Sequence, residues 1–148
     1  MTSPDVFVNS WKDKWVKLTY FETGMNQMAV TEYQVITKLK FVGFKVQVEP
    51  NSLIRRGHPC KEDAEYMGLP YINDQKWTWA RIRLDLKLVE DEVYDYDNET
   101  TTKEWKLMRE TEMMGFETMQ ALEIEAFDMA TLDSRLVMPP PNKCRIKF

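Results

Sequence analysis

His58, Cys60 and Cys144 are the residues of this 148-residue chain whose types could do nucleophilic or metal chemistry. His58 is the single histidine, so a Ser/His/Asp or Cys/His site would have to be built around it. "HPC" at 58–60 supplies two potential ligands, whereas zinc requires three or four at set spacings, and only Cys144 remains. The five glycines, at 24, 43, 57, 68 and 115, match neither a dinucleotide-binding fingerprint nor a phosphate loop. Asp and Glu total 24, enough for an acid/base pair by type alone, but they concentrate in polar connections and on outward-facing positions, where hydration is their role. The expectation is a protein that is not an enzyme and holds no cofactor or metal.

What remains is contact chemistry. From Met1 to Leu88 there are 13 Lys+Arg and 10 Asp+Glu, +3; from Val89 to Phe148 there are 7 against 14, −7. The acids cluster at Glu90, Asp91, Glu92, Asp95 and Asp97, and a basic group stands at Arg55, Arg56 and Lys61. A bipolar chain suits head-to-tail self-association better than it suits wrapping nucleic acid, where a basic face is expected. Trp77 and Trp79, with Arg81, could form a stacking platform for single-stranded nucleic acid, but the net charge of −4 opposes it. These residues, Arg55, Arg56, Lys61, Trp77, Trp79, Glu90, Asp91, Glu92, Asp95 and Asp97, are the candidate interface, with the chain itself as first partner.

The elements that must position them can be read from periodicity. A 43% hydrophobic, 30% charged composition is that of a folded chain, and its length suits one domain: an entry segment over 1–14, a core over 15–138 and a Pro-rich tail over 139–148. No run of about 18 apolar residues spans a membrane, and the start lacks the pattern of a secretory signal. With ten methionines and two distant cysteines, a soluble protein of the reducing cytoplasm is expected.

"WVKLTYF" at 15–21 alternates as a half-buried strand. Met28 to Leu39 falls near helical spacing, although its β-branched content also permits one long strand, and Val42 to Val48 alternates up to Pro50. Residues 51–75, punctuated by Gly57, Pro59, Gly68 and Pro70, read as a long central loop. Ile82, Leu84, Leu86 and Leu88 face one way against Arg81, Arg83, Asp85 and Lys87, a strand with one wet face. Trp77 and Trp79 stand in the opposite phase. A bulge near Ala80 or Arg81 would return them to the core side; without one they form an outer aromatic patch. Six acids among Glu90–Glu99 read as a solvated loop. Thr101 and Glu104 fit a capping box for a helix carrying Trp105, Leu107 and Met108 and ending at Gly115, followed by a strand through Leu122, Ile124 and Ala126. The expected fold is α+β: one domain, a twisted antiparallel β-sheet packed against one or two helices, with a long central loop.

The order strand "ARIRLDLKLVEDE", acidic loop, helix "KEWKLMRETEMMGF", strand "MQALEIEAF" resembles the C-terminal half of rhabdovirus matrix proteins, and "YQVITKLKFVGFKVQVEP" and "AEYMGLP" are similar to that family's central strand and aromatic-Leu-Pro segment. The resemblance implies a non-enzymatic structural protein of a virion that works by self-association and by contact with a nucleocapsid. It also implies peripheral membrane contact, which the acidic balance disfavours. The second expectation, of a different class, is an accessory structural subunit of a large cellular complex, held by its long loop and tail.

Overall fold

A computed structural model describes residues 3–22, 30–57, 60–68, 76–113 and 116–138, with the backbone alone at 112–113. His58, Gly115, Cys144 and the tail at 139–148 lie outside the described residues. Among the described residues there are ten strands: β1 (Trp15–Glu22), β2 (Thr31–Val42), β3 (Lys45–Val48), β4 (Asn51–Gly57), β5 (Trp77–Arg81), β6 (Asp85–Asp95), β7 (Thr100–Met113), β8 (Phe116–Ala121), β9 (Glu123–Ala126) and β10 (Val137–Met138). Helices among the described residues are α1 (Asp5–Trp11) and α2 (Lys61–Met67), seven residues each, and two 3-10 turns at Met129–Thr131 and Ser134–Leu136. The fold is therefore mostly β, and the expected α+β sheet packed on helices is corrected.

Five segments account for the correction. The helix expected from Thr101 is β7, which pairs antiparallel with β6 in the register Leu88↔Leu107 through Asp95↔Thr100. Its Thr100–Thr102 run is β-branched, and the alternation of Trp105 and Leu107 is as good a strand signal as the capping box was a helix signal. An open strand edge on β6 decides between them. The acidic stretch is not a loop either: β6 runs through it to Asp95, leaving only 96–99 as a turn. Thr31–Val42 is one strand, and the expected central loop contains β4 and α2. Val42 to Val48 is likewise a hairpin rather than one strand, because Gly43 adopts φ +63 and turns the chain with Phe44.

The strand pairings close on themselves. β1 pairs with β2, β2 with β3, β3 with β6, β6 with β7 and β7 with β8, all antiparallel. β8 continues past Leu122 into β9, which returns to β1. The result is a six-membered up-and-down barrel. Where β8 and β1 diverge, the Gln120 side chain replaces the missing ladder: its Oε1 accepts from Phe21 N–H at 2.7 Å and its Nε2 donates to Phe21 C=O at 2.9 Å. Val16, Leu18, Val35, Val46, Leu86 and Leu107 fill the interior, each essentially fully buried and each contributing about 1.5–3 kcal/mol by burial. Phe7, Val8 and Trp11 of α1 pack against this core, Phe7 edge-on to Phe41 at 6.3 Å.

A wing leaves the barrel where two strands break together. β3 and β4 are separated at Glu49 and Pro50, and β5 and β6 at 82–84, with Ile82 N–H donating to Pro50 C=O at 2.7 Å across the two breaks. β4 lies on β2, β5 on β4, and β10 runs parallel to β5. At the bend the buried Ser52 and Thr37 hydroxyls are 2.8 Å apart, and Thr37 accepts from Glu49 N–H at 3.0 Å, so the break leaves these polar groups satisfied. Ile36, Leu53 and Trp77 form a second core on the face opposite the barrel interior, with Trp79, Phe127, Met129, Leu132 and Val137 packed against it.

Candidate interaction surface

The two alternatives for Trp77 and Trp79 are both replaced by a third. No phase correction is needed, because the outer face they point to is itself covered by 127–137; Trp77 is 4% exposed and Trp79 half-buried. They are core residues and not an aromatic contact patch. Arg55 belongs with them: its guanidinium stacks 4.2 Å from the Trp77 ring centroid and its Nε donates to Gln34 Oε1 at 2.8 Å. Arg56, the next residue of β4, points to the opposite face and is exposed, and Lys61 is exposed at the start of α2. The expected basic group is thus divided among two faces and two elements.

The acids are brought together. Beyond the Leu88↔Leu107 pair, residues 89–95 and 100–106 pair only with each other among the described residues, so β6 and β7 leave the barrel as a two-stranded arm. Over 89–106 it carries Glu90, Asp91, Glu92, Asp95, Asp97, Glu99 and Glu104 against Lys103 and Lys106, 2 − 7 = −5. Side chains alternate, so one face presents Val89, Asp91, Val93 and Asp95 opposite Lys106, Glu104, Thr102 and Thr100. The other presents Glu90, Glu92 and Tyr94 opposite Trp105, Lys103 and Thr101. Lys106 lies 3.1 Å from Asp91 and 3.7 Å from Glu104, tying the arm across its width.

The tip is pre-shaped by Asp95. Its Oδ1 accepts from Asp97 N–H at 2.9 Å and from Asn98 N–H at 3.3 Å, and its Oδ2 from Asn98 Nδ2 at 2.7 Å. These donors, the Asn98 side chain first, hold the Asp95 carboxyl below the ordinary range. Glu99 takes φ +52 to close the turn. Tyr94 and Tyr96 meet edge to face at 4.7 Å, Tyr96 being 84% exposed. At the root, Phe44 stacks on Trp105 at 5.6 Å.

Two clefts complete the surface. One, of about 670 Å³, lies against β1, β2, α2 and β9, where Lys17 binds Glu125 at 2.7 Å and Asp63 accepts from Val30 N–H at 2.8 Å. Burial raises the Cys60 thiol pKa there, which keeps the sulfur protonated and a poor nucleophile. The other, of about 620 Å³, opens where β6 parts from β7, with Lys87 held by Glu110 at 2.7 Å and Arg83 by Asp85 at 3.4 Å. Arg109, on its wall, donates to Glu22 at 2.8 Å and lies 4.6 Å from the Tyr20 ring centroid; its Nη1 is buried without an acceptor, a cost the aromatic face partly offsets. In the second cleft Lys45 is the cation without an ion pair among the described residues, and in the first the acids outnumber Lys17 and Lys61. No group of three or more metal-ligating side chains occurs among the described residues, and no helix there is long and apolar enough to cross a membrane.

No protein-family model matches the chain, and no curated protein or solved structure matches it. Of the order that resembled rhabdovirus matrix proteins, the helical part is β7.

Sequence reasoning missed Tyr94, Tyr96 and the arm itself. The local signal was weak: in the phase of Ile82 to Leu88 the next residues are Glu90, Glu92 and Tyr94, while Val89 and Val93 fall in the opposite phase, so no apolar alternation carries through the acids.

Proposed function

We propose that this chain is a non-enzymatic assembly protein in which the barrel is a rigid mount and the acidic arm is the contacting element. The observation that carries the reading is the arm: a two-stranded ribbon is marginal alone, yet this one is long, fixed at its root by buried leucines and shaped at its tip by Asp95. Its charge selects a basic surface, and its tyrosines supply the rigid aromatic area on which contact energy concentrates. A second copy of the chain is the first partner and a basic nucleocapsid-type protein the second; anionic lipid would be repelled by the arm. Such a protein would assemble in the cytoplasm and, in the setting the matrix resemblance implies, enter a virion.

The test is sedimentation equilibrium at low salt on the full chain and on a chain in which Asn-Gly replaces residues 91–104, joining the paired Glu90 and Trp105 by a two-residue turn. The full chain should associate and the shortened chain should remain a folded monomer. Association of both overturns the role of the arm. A full chain that stays monomeric at every concentration overturns self-assembly and leaves the accessory-subunit reading, with a foreign basic partner for the arm.

A further inference from the structure

The outer face of β6 does not end where the barrel ends. Its outward residues run Asp85, Lys87, Val89, Asp91, Val93, Asp95, so the barrel wall and one side of the arm are a single surface. On the barrel this surface is widened by β3 and β2, in the rows Lys40↔Gln47↔Asp85 and Val42↔Lys45↔Lys87. Lys38, Lys40, Lys45, Arg83 and Lys87 stand there against Glu49, Asp85 and Glu110, 5 − 3 = +2. On the arm the same surface carries Asp91, Asp95 and Glu104 against Lys106, 1 − 3 = −2. Apolar side chains sit in both halves: Val42, 56% exposed, on the barrel, and half-buried Val89 and Val93 on the arm.

We infer that this surface is a two-fold interface between two copies of the chain, the arm of each lying across the β2–β3–β6 face of the other. The inference rests on the assembly role of the arm and names its receptor. The geometry requires a closed pair because the plus and minus halves are adjacent on one face. A two-fold rotation brings each half onto its complement, every contact is made twice, and this face is used up in the pair, while Glu92 and Tyr94 lie on the opposite side of the arm and outside the contact. Lys40 and Lys45 are the receptor cations, since both are exposed and neither has an ion pair among the described residues, whereas Lys87 and Arg83 are held by Glu110 and Asp85. Asp91, Asp95 and Glu104 are their counterparts: Asp91 and Glu104 share the one Lys106, which leaves negative charge over, and Asp95 has no ion pair among the described residues; Val42 meets the Val89–Val93 side of the arm. This replaces the head-to-tail contact with Arg55, Arg56 and Lys61, which the stacking of Arg55 on Trp77 and the divided faces of β4 do not support.

Charge reversal tests it. One variant carries Lys40→Glu and Lys45→Glu, the other Asp91→Lys and Glu104→Lys, and sedimentation equilibrium with light scattering reads mass at low salt. The full chain should reach twice its monomer mass and go no further. Each variant should weaken the dimer by roughly tenfold or more, since each exposed ion pair occurs twice and is turned to repulsion. An equal mixture of the two variants should dimerise again, because the arm of each then matches the face of the other; that rescue also excludes misfolding as the cause of the loss. Retention of wild-type mass by the Lys40/Lys45 variant overturns the receptor while leaving the arm as the contact element. Failure of the mixture to dimerise, or growth of the full chain beyond two copies, overturns the two-fold arrangement. A full chain that is monomeric throughout removes both this interface and the self-assembly reading on which it rests.

Discussion

β6 and β7 are two different structures along one length. From Asp85 to Leu88 and from Leu107 to Met113 they are barrel wall, and Leu86, Leu88 and Leu107 are buried in the interior. From Val89 to Asp95 and from Thr100 to Lys106 the same strands, in the same register and with the same alternation, have no fully buried residue on either face, and Trp105 at the root packs back onto the barrel core. Backbone pairing is equal in the two halves, but apolar burial is not. The lesson is that hydrogen-bonded pairing gives an arm its shape, while stability comes from what the inward side chains touch.

The largest expected effect breaks that comparison at its root. Leu107→Ala should cost about 2–5 kcal/mol in urea unfolding, whereas Thr101→Ala, six residues along the same strand and on the same side, should fall within about 0.5 kcal/mol of wild type. Equal costs for the two would show that the arm is a buried element rather than a mounted one.

The second effect tests how dry the barrel is at the Tyr20 end. Burial pushes the Tyr20 phenol up to about 12, against the lowering effect of Arg109. In the unfolded chain the value is about 10. The fold therefore favours the neutral phenol: the stability linked to Tyr20 is fully present below pH 10 and is lost as pH rises through about 12. Unfolding measured from pH 9 to 12 should show this alkaline decline in the wild type and a shallower one in Tyr20→Phe. An unchanged slope would place water against the phenol.

The smallest effect sharpens the comparison at the tip. Asp95→Ala removes the acceptor for the Asp97 and Asn98 amides, so their hydrogen exchange should quicken while that of Leu107 holds. Acid should lower the protection of the same amides in the wild type, measured against the intrinsic exchange rate at each pH. Because the Asp95 carboxyl is held below its ordinary range, the cap is complete above that range and is lost as pH falls through the depressed value. Equal acceleration at Leu107 would mean that arm and barrel open as one unit.

Much of this fold was legible as period. β1, the inward leucines of β6 and the strand at Glu123–Ala126 were all readable from alternation alone, and Gly43 and Pro50 stand where chain direction or pairing changes. The misreading of Thr101 to Gly115 has a local cause: Thr101 with Glu104, and Trp105 with Leu107 and Met108, satisfy helical spacing, and only the pairing of Leu107 with Leu88 and of Met108 with Ala121 excludes it. The acidic candidates Glu90, Asp91, Glu92, Asp95 and Asp97 were found by composition, yet were read as a loop because charge was taken as a sign of irregular backbone. Arg55, Trp77 and Trp79 are conspicuous by type, but alternation left the two tryptophans open between core side and outer face, and only the segment over 127–137 decides it.

What the sequence determined by itself was the alternation of its strands, the segregation of charge at Leu88 and the lack of ligand spacing around His58 and Cys60. What only the tertiary structure decided was which faces are covered. Alternation is a property of consecutive residues, and it marks two sides of a strand without saying what lies against either. Trp77 is buried because residues 127–137, some fifty positions later, return over it, and Lys87 joins the Lys40–Lys45 hairpin in one face because β6 pairs with β3 across a long separation in the chain. Closure of the barrel through Gln120 and β9 depends on contacts a hundred residues apart, and no local pattern carries that information.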